Sequence, residues 1–307
     1  MCIRDRLAYG TSSCSDFLEK EVDLTLSEEQ VFRSYENTRG FLANIYTYLP
    51  DAFVGYTDGQ FRSASRDCMT DNALGWWSVL YYGSVLTDGY SAINHPFAND
   101  FWPKNSRAIR ASNLFLKNVR EEVVGNYDKT GDDNHLYDRY VAEAKLLRAI
   151  FHFDMSSWFG DIIIAGDDEE GVPIVFQQND PRMNVPRNKC ADVMKWVADQ
   201  CDLVKDVLPF RYSNENENWG RVNGAAAYAL KARALLYRAS KLNNPDGNTA
   251  YWANAAQAAA DFITQNNKQS YPYRLYNTGN PENDYYECFT TCLLYTSDAA
   301  DDGESVD

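Results

Sequence analysis

Histidine is nearly missing from this chain: three residues in 307, at positions 95, 135 and 152, with no metal-ligand spacing between them. Basic residues are also in short supply, 29 Lys and Arg against 44 Asp and Glu, leaving a net charge of −15 and a pI of about 4.6. A surface that acidic repels phosphate backbones and anionic headgroups, so no nucleic acid partner is expected. No apolar run approaches the roughly 20 residues that a membrane-spanning helix needs. The chain also lacks a Gly-rich phosphate loop, an HExxH pair and a Gly-x-Ser-x-Gly elbow. The seven cysteines are an odd count with no zinc spacing and no disulfide framework. Cys190 and Cys201 fall on one predicted helix, roughly 16 Å apart, too far to bridge, and read as small buried side chains. The acidic turns Asp128/Asp132/Asp133 and Asp167/Asp168/Glu169 lack the ordered spacing of a Ca²⁺ loop and read as solvated turns. No catalytic residue, metal site or cofactor is therefore expected.

What is present is ordinary globular composition, 45% hydrophobic and 24% charged, enough for one large domain or two smaller ones. The chain is organised around residues 136–161. Leu136, Tyr140, Ala144, Leu147, Phe151, Met155 and Trp158 recur at spacings of three and four, one apolar stripe along an α-helix. Asp138, Arg139, Glu143, Lys145 and Arg148 fall mostly off that stripe, and Gly160 ends it. Such a helix is on the order of 35 Å long, the spine of a domain. His152, within it, reads as a satisfied packing residue. Ser27 with Gln30 three residues on is a capping box, opening a helix expected to run to about Tyr48 before Pro50. Further helices are expected over about 104–124, 189–207, 221–241 and 250–266. The polar turn 128–134 makes an αα-hairpin of the first of these with the spine, and the last two form a second hairpin. Residues 161–176 read as an extended excursion or small hairpin.

The wording of several stretches carries a resemblance. EAKLLRAIFHFDMSSWFGD followed by GVPIV resembles the central helix of the SusD/RagB family, the surface glycan-binding lipoproteins of Bacteroidetes nutrient-uptake systems. RAIRASNLFLKNV resembles an earlier helix of that family, and the 189–207 helix, framed by Val185-Pro186-Arg187 and Leu208-Pro209, resembles a later one. These patches lie in the family's order over roughly Cys14 to Glu287. The resemblance implies an all-α fold of tetratricopeptide-like helical hairpins in a right-handed superhelix, with long loop insertions and a minor β excursion. Family members usually continue well past this length, so the chain reads as the N-terminal part of a longer protein.

The terminal runs MCIRDR and CLLYTSDAADD look like translated sequencing-adapter read-through. The expected organisation is accordingly 1–13 as signal-peptide remnant plus artefact, 14–291 as the helical domain, and 292–307 as artefact or tail. Cys14, in TSSCSDFL, resembles a lipobox cysteine, although Thr11 stands where an apolar residue is usual. Lipid on Cys14 would anchor the chain to a membrane without spanning it.

One constellation could carry chemistry. Arg66, Asp71, Asn72, Trp76, Trp77, Tyr81 and Trp102 combine flat rings with amide, carboxylate and guanidinium groups in a loop-rich stretch. Sugar rings present C–H faces that stack on Trp and Tyr, and hydroxyls that bond planar polar groups. Two adjacent Trp cannot face the same way, so at most one of Trp76 and Trp77 would meet a ligand. The family resemblance implies a non-enzymatic outer-membrane protein, lipid-anchored and facing the exterior. It would bind an oligosaccharide and deliver it to a SusC-like TonB-dependent transporter. A helical scaffold for protein partners and a glycoside hydrolase are the alternatives left open.

Overall fold

The computed structural model describes residues 27–50, 70, 71, 91, 98–128, 135–177 and 179–290. These form ten α-helices: α1 Glu28–Phe32, α2 Tyr35–Tyr46, α3 Ala98–Asn118, α4 Glu121–Val124, α5 Leu136–Phe159, α6 Cys190–Val204, α7 Glu215–Asn218, α8 Gly224–Ala239, α9 Thr249–Asn267 and α10 Pro281–Thr290. The fold is all-α. Among the described residues β structure is confined to two isolated antiparallel bridges, Ile162 to Asn188 and Asp167 to Pro173. They mark the expected excursion after the spine helix.

The long helices pack in series, α3 on α5, α5 on α6, α6 on α8 and α8 on α9. The spine α5 is at the centre. Its predicted stripe is in the core from Leu136 to Met155, with Leu136, Tyr140, Ala144, Leu147, Phe151 and Met155 buried, while Trp158 at its end is half-buried. Each such large apolar side chain contributes about 1.5–3 kcal/mol on burial. Gly160 closes the helix at φ 71°, where a Cβ would be strained, and its N–H donates to the Ser156 carbonyl at 2.9 Å.

The helix is more than amphipathic. Sixteen of its 24 residues are buried, and Arg139, Glu143, Arg148, His152 and Asp154 are among them. The sequence pattern set most of its charges off the stripe. The structure encloses them because neighbours pack on α5 from several sides.

Arg148 shows what enclosure requires. Its guanidinium donates to Asn113 Oδ1 of α3 at 2.8 Å and to both Asp167 oxygens at 2.7 and 3.1 Å. It also donates to Gln200 Oε1 of α6 at 2.8 Å. Asn113 in turn gives Nδ2–H bonds to the carbonyls of Ala165 and Ile174. One buried cation therefore ties two helices to the excursion over 161–176. Asp167 is consumed by this pair, while Asp168 accepts from the N–H groups of Glu170 and Val172 inside the turn. That turn is a structural tie, and among the described residues no group of His, Cys, Asp and Glu is arranged for a metal ion.

His152 is satisfied in one tautomer only. Its Nε2 accepts from the Ala165 N–H at 3.1 Å, so Nδ1 carries the proton and donates to the Arg148 carbonyl at 2.8 Å. Burial pushes its pKa down to about 3. His135, on the surface, is the opposite case: its Nδ1 sits 2.8 Å from Asp128 Oδ2, which raises its pKa. Cys201 is buried, which pushes its thiol up to about 12, and neither it nor Cys190 is in a disulfide.

Several helix boundaries differ from those expected, among them the end of α6 at Val204 and not 207 and the start of α8 at Gly224 and not 221, which leave 205–223 largely as a loop. The run from Ser27 breaks at Ser34, whose extended backbone (φ −110°, ψ 129°) lets its side chain accept from Asn37 N–H and cap α2. Apolar spacing continues across this break, so periodicity could not show it. The Ser27/Gln30 capping box is present as expected. α3 starts before Lys104 and holds Pro103 inside it. Pro keeps a helical φ but forfeits one backbone bond. Asn105 and Ser106 bond back to the carbonyls of Phe101 and Trp102 at that point. The same helix stops at Asn118, because Arg120 is extended, and resumes as the short α4.

The second hairpin, α8 with α9, uses small residues for close approach: Ala234, Ala255 and Ala258 are buried near the contact. Gly224 opens α8 where a Cβ would lie 2.7 Å from the Lys205 carbonyl and 2.9 Å from that of Leu208.

Two measurements test this frame. Replacing Arg148 by Ala strands Asp167 and removes three ties at once. Urea unfolding is expected to show a loss of about 3–5 kcal/mol. A loss comparable to an ordinary surface substitution would contradict the tie. Imidazole NMR titration should give His135 a midpoint above 6.5, while His152 stays neutral through pH 5. Because folding lowers the His152 pKa, the unfolded chain takes up that proton first. Stability from this group is therefore complete above about pH 6.5 and falls by about 1.4 kcal/mol per unit towards pH 3. Titration of His152 near 6.5 would rule this out.

Candidate functional site

Of the residues singled out as ligand-binding, Arg66, Asn72, Trp76, Trp77 and Tyr81 lie outside the described residues, as does Cys14. Asp71 is exposed in a turn. Trp102 is half-buried on α3. Its ring meets Phe159 edge-on, with centroids 5.1 Å apart, and the Arg187 guanidinium lies 5.0 Å over it. Trp102 thus helps seat α3 against the end of the spine, with the Arg187 guanidinium over one face of its ring.

The structure builds an open aromatic and polar surface elsewhere, on the segment 205–223 between α6 and α8. Its foundation is a second buried ionic group of the spine. Glu143 is fully enclosed and accepts from Arg221 Nη1 at 2.8 and 3.1 Å and from the Tyr46 hydroxyl at 2.6 Å. Tyr46 in turn accepts from the Val222 N–H at 3.2 Å. Burial pushes the Glu143 carboxyl upward, while Arg221 pulls it back. Burial and the adjacent Glu143 raise the Tyr46 phenol well above its usual range. Burial works against the charge of Arg221, but Glu143 more than offsets it. The loop is further closed by Tyr212, whose hydroxyl donates to the Val222 carbonyl at 2.9 Å, and by the Gly224 N–H to the Pro209 carbonyl at 2.8 Å. It is a loop with its backbone pinned at both ends.

On this base stands Trp219, 82% exposed, followed by Gly220 in a left-handed conformation (φ 77°). A hollow of about 450 Å³ lies beside it, lined by Arg211, Asn218, Trp219, Arg221, Asn223 and Tyr273 among others. Tyr273 is held on three sides. Asn223 Nδ2 donates to its hydroxyl at 3.1 Å, the Arg211 guanidinium lies 5.3 Å over its ring, and Asn266 bonds both its N–H and its carbonyl at 2.8 Å. Arg221 is shared with a second hollow, of about 410 Å³, that runs to Tyr35 and Tyr127. These two rings are stacked, 3.8 Å apart and 9° from parallel.

Exposed ring faces bordered by amides and guanidinium groups can stack and hydrogen-bond a sugar. They offer no nucleophile held by a base. Sequence reasoning passed over this site, although the signal was there: the run YSNENENWGR sets one Trp among amides, carboxylates and Arg. It met the same criteria as the Trp76–Trp77 stretch but had a single ring to draw attention.

A family model described as "Starch-binding associating with outer membrane" and named SusD-like matches residues 16–236, and the chain belongs to that family. Solved structures share the fold. A SusD-like carbohydrate-binding protein from Bacteroides fragilis is 22% identical with a TM-score of 0.56, over 77% of this chain and 42% of its own. A SusD homolog from Bacteroides thetaiotaomicron is 18% identical with a TM-score of 0.52, over 81% of this chain and 43% of its own. A laminarin-binding SusD-like protein is 14% identical with a TM-score of 0.56, over 87% of this chain and 50% of its own. The chain therefore spans half or less of the length of these structures. No curated protein matches the sequence.

If Glu143 and Tyr46 hold the loop, Tyr46→Phe should lower stability by about 1.5–3 kcal/mol, the range for a hydrogen bond to a charged group. It should also raise hydrogen exchange at the Val222 amide. Unchanged exchange there would show that the loop is held by something else.

Proposed function

We propose that this chain is a non-enzymatic, surface-exposed glycan-binding protein of the outer membrane. It captures an oligosaccharide and passes it to a SusC-like TonB-dependent transporter. The observation that carries the reading is the exposure of Trp219 beside Tyr273, amides and guanidinium groups, on a loop whose backbone is already pinned. A preformed platform spends little ordering entropy on binding, which is what a capture protein of modest affinity needs. The family's description as starch-binding and outer-membrane-associated supports the same reading.

In this proposal Arg66, Asp71, Asn72, Trp76, Trp77, Tyr81 and Trp102 form a further part of the ligand surface, with no cofactor or metal. A lipid on Cys14 supplies the membrane attachment. That suits a chain in which, among the described residues, no helix is long and apolar enough to cross a membrane. Transport energy comes from elsewhere, so the binder needs only to hold and release.

Incubating the purified chain with a polysaccharide panel, while following retention, Trp fluorescence and new reducing ends, tests this. Retention with a fluorescence change and no new reducing ends is expected. Accumulating reducing ends would make the protein a glycoside hydrolase. No response to any glycan would favour a protein-binding scaffold.

A further inference from the structure

We infer that the hollow between α2, α5 and α7 selects an acidic oligosaccharide, one carrying a carboxylate or sulfate ester on its rings. This rests on the glycan-capture reading above and adds the charge of the ligand. The hollow is lined by three guanidinium groups, Arg39, Arg139 and Arg221, together with the hydroxyls of Tyr35 and Tyr140. In a chain with 44 acidic residues against 29 Lys and Arg, a cavity lined by three arginines and one carboxylate, Glu217, is a local reversal of charge, although Arg221 is also paired with the enclosed Glu143 behind it.

Arg139 is the informative member. Its side chain is only 9% exposed, and its Nε is buried with no hydrogen-bond partner among the described residues. The nearest carboxylate oxygen, Glu143 Oε1, is 3.8 Å from that Nε, too far for a hydrogen bond. Glu143 is already engaged by Arg221 and Tyr46. The Arg139 guanidinium otherwise lies 5.6 Å over the Tyr212 ring. That Nε is sealed from the hollow, as Arg148 Nε is within the core. An oxyanion entering the hollow would be drawn by the charge of the Arg139 guanidinium, whose neighbouring carboxylate is already engaged. Arg39 stands 3.8 Å from Glu36 at the exposed rim, where its planar donors can swing to a ligand.

Glu217 also lines the hollow and opposes an anion there. It therefore sets a sign test within the site. The aromatic half of the ligand surface adjoins directly, because Asn218 and Arg221 line both this hollow and the one beside Trp219. A chain of sugars could stack a ring on Trp219 and place the acidic group of a neighbouring residue between Arg39, Arg139 and Arg221.

Calorimetric titration of the 307-residue chain with tetragalacturonate, a sulfated carrageenan tetramer, maltotetraose, laminaritetraose and inorganic sulfate tests the inference. At least one acidic tetramer is expected to bind about tenfold or more tighter than either neutral one, as one charge-assisted contact would give. Which acidic tetramer wins identifies the oxyanion. Raising NaCl from about 20 to about 200 mM should weaken that binding. Arg39→Gln, at an exposed position, should remove most of the preference, Arg139→Gln should do the same if it folds, and Glu217→Gln should strengthen acidic binding. Neutral tetramers binding as well as acidic ones, with Arg39→Gln silent, would overturn the charge preference and leave glycan capture standing. Inorganic sulfate binding as tightly as both acidic tetramers would overturn sugar recognition at this hollow. Absence of binding by both acidic tetramers would overturn the charge preference, and silence across the polysaccharide panel as well would overturn glycan capture.

Discussion

The guanidinium of Arg148, sealed inside the helical frame, is the interaction on which the rest of the structure depends. It spends its donors on three different elements: a helix before the spine, a helix after it, and the excursion that would otherwise hang free. Removing two charges from water costs several kcal/mol per ion, and Coulombic attraction in the interior roughly repays it only when the geometry is good. Such a group therefore adds little net stability beyond what apolar packing supplies. What it supplies is position, since any other placement of the Asp167 turn leaves an unpaired buried cation.

Glu143, five residues earlier on the spine, repeats the arrangement with opposite sign. It fixes Arg221 and, through Tyr46, the Val222 backbone. His152 adds a neutral version, accepting from the Ala165 N–H. The spine thus presents an acid, a base and an imidazole within three turns: Arg148 and His152 both reach the excursion over 161–176, and Glu143 reaches the segment 205–223. Apolar ridges set how the helices pack, and these polar contacts set where the loops lie. Trp219 and the arginine-lined hollow stand on a loop placed in this way. That is how a buried charge and an exposed ring come to serve the same end: the first fixes the platform, and the second meets the ligand.

Much of the frame could be read from the chain. The stripe from Leu136 to Met155, the capping box at Ser27 and the alanine-rich hairpin of α8 and α9 all follow from local rules and from periodicity. The resemblance carried in EAKLLRAIFHFDMSSWFGD pointed to the family that the chain belongs to. The enclosure of Arg139, Glu143 and Arg148 could not be read, because periodicity reports one face of a helix, and these residues are buried by elements remote in sequence. The interruption at Ser34 was hidden for a related reason: three- and four-residue spacing can continue across a cap. Trp219 was open to the same reasoning that selected Trp76 and Trp77. Its hydrogen-bonded base, by contrast, joins Tyr46, Glu143 and Val222, contacts of a range that no local pattern encodes.

If buried ionic and imidazole contacts fix the loops as firmly as packing fixes the helices, loop and spine should open together. Native-state hydrogen exchange measures this directly, amide by amide. The amides of Ala165, Asn188, Val222 and Gly224, all bonded in loops, should exchange with the same opening free energy as amides in the middle of α5. Exchange of those four through a low-energy local opening, with the spine still protected, would contradict the account.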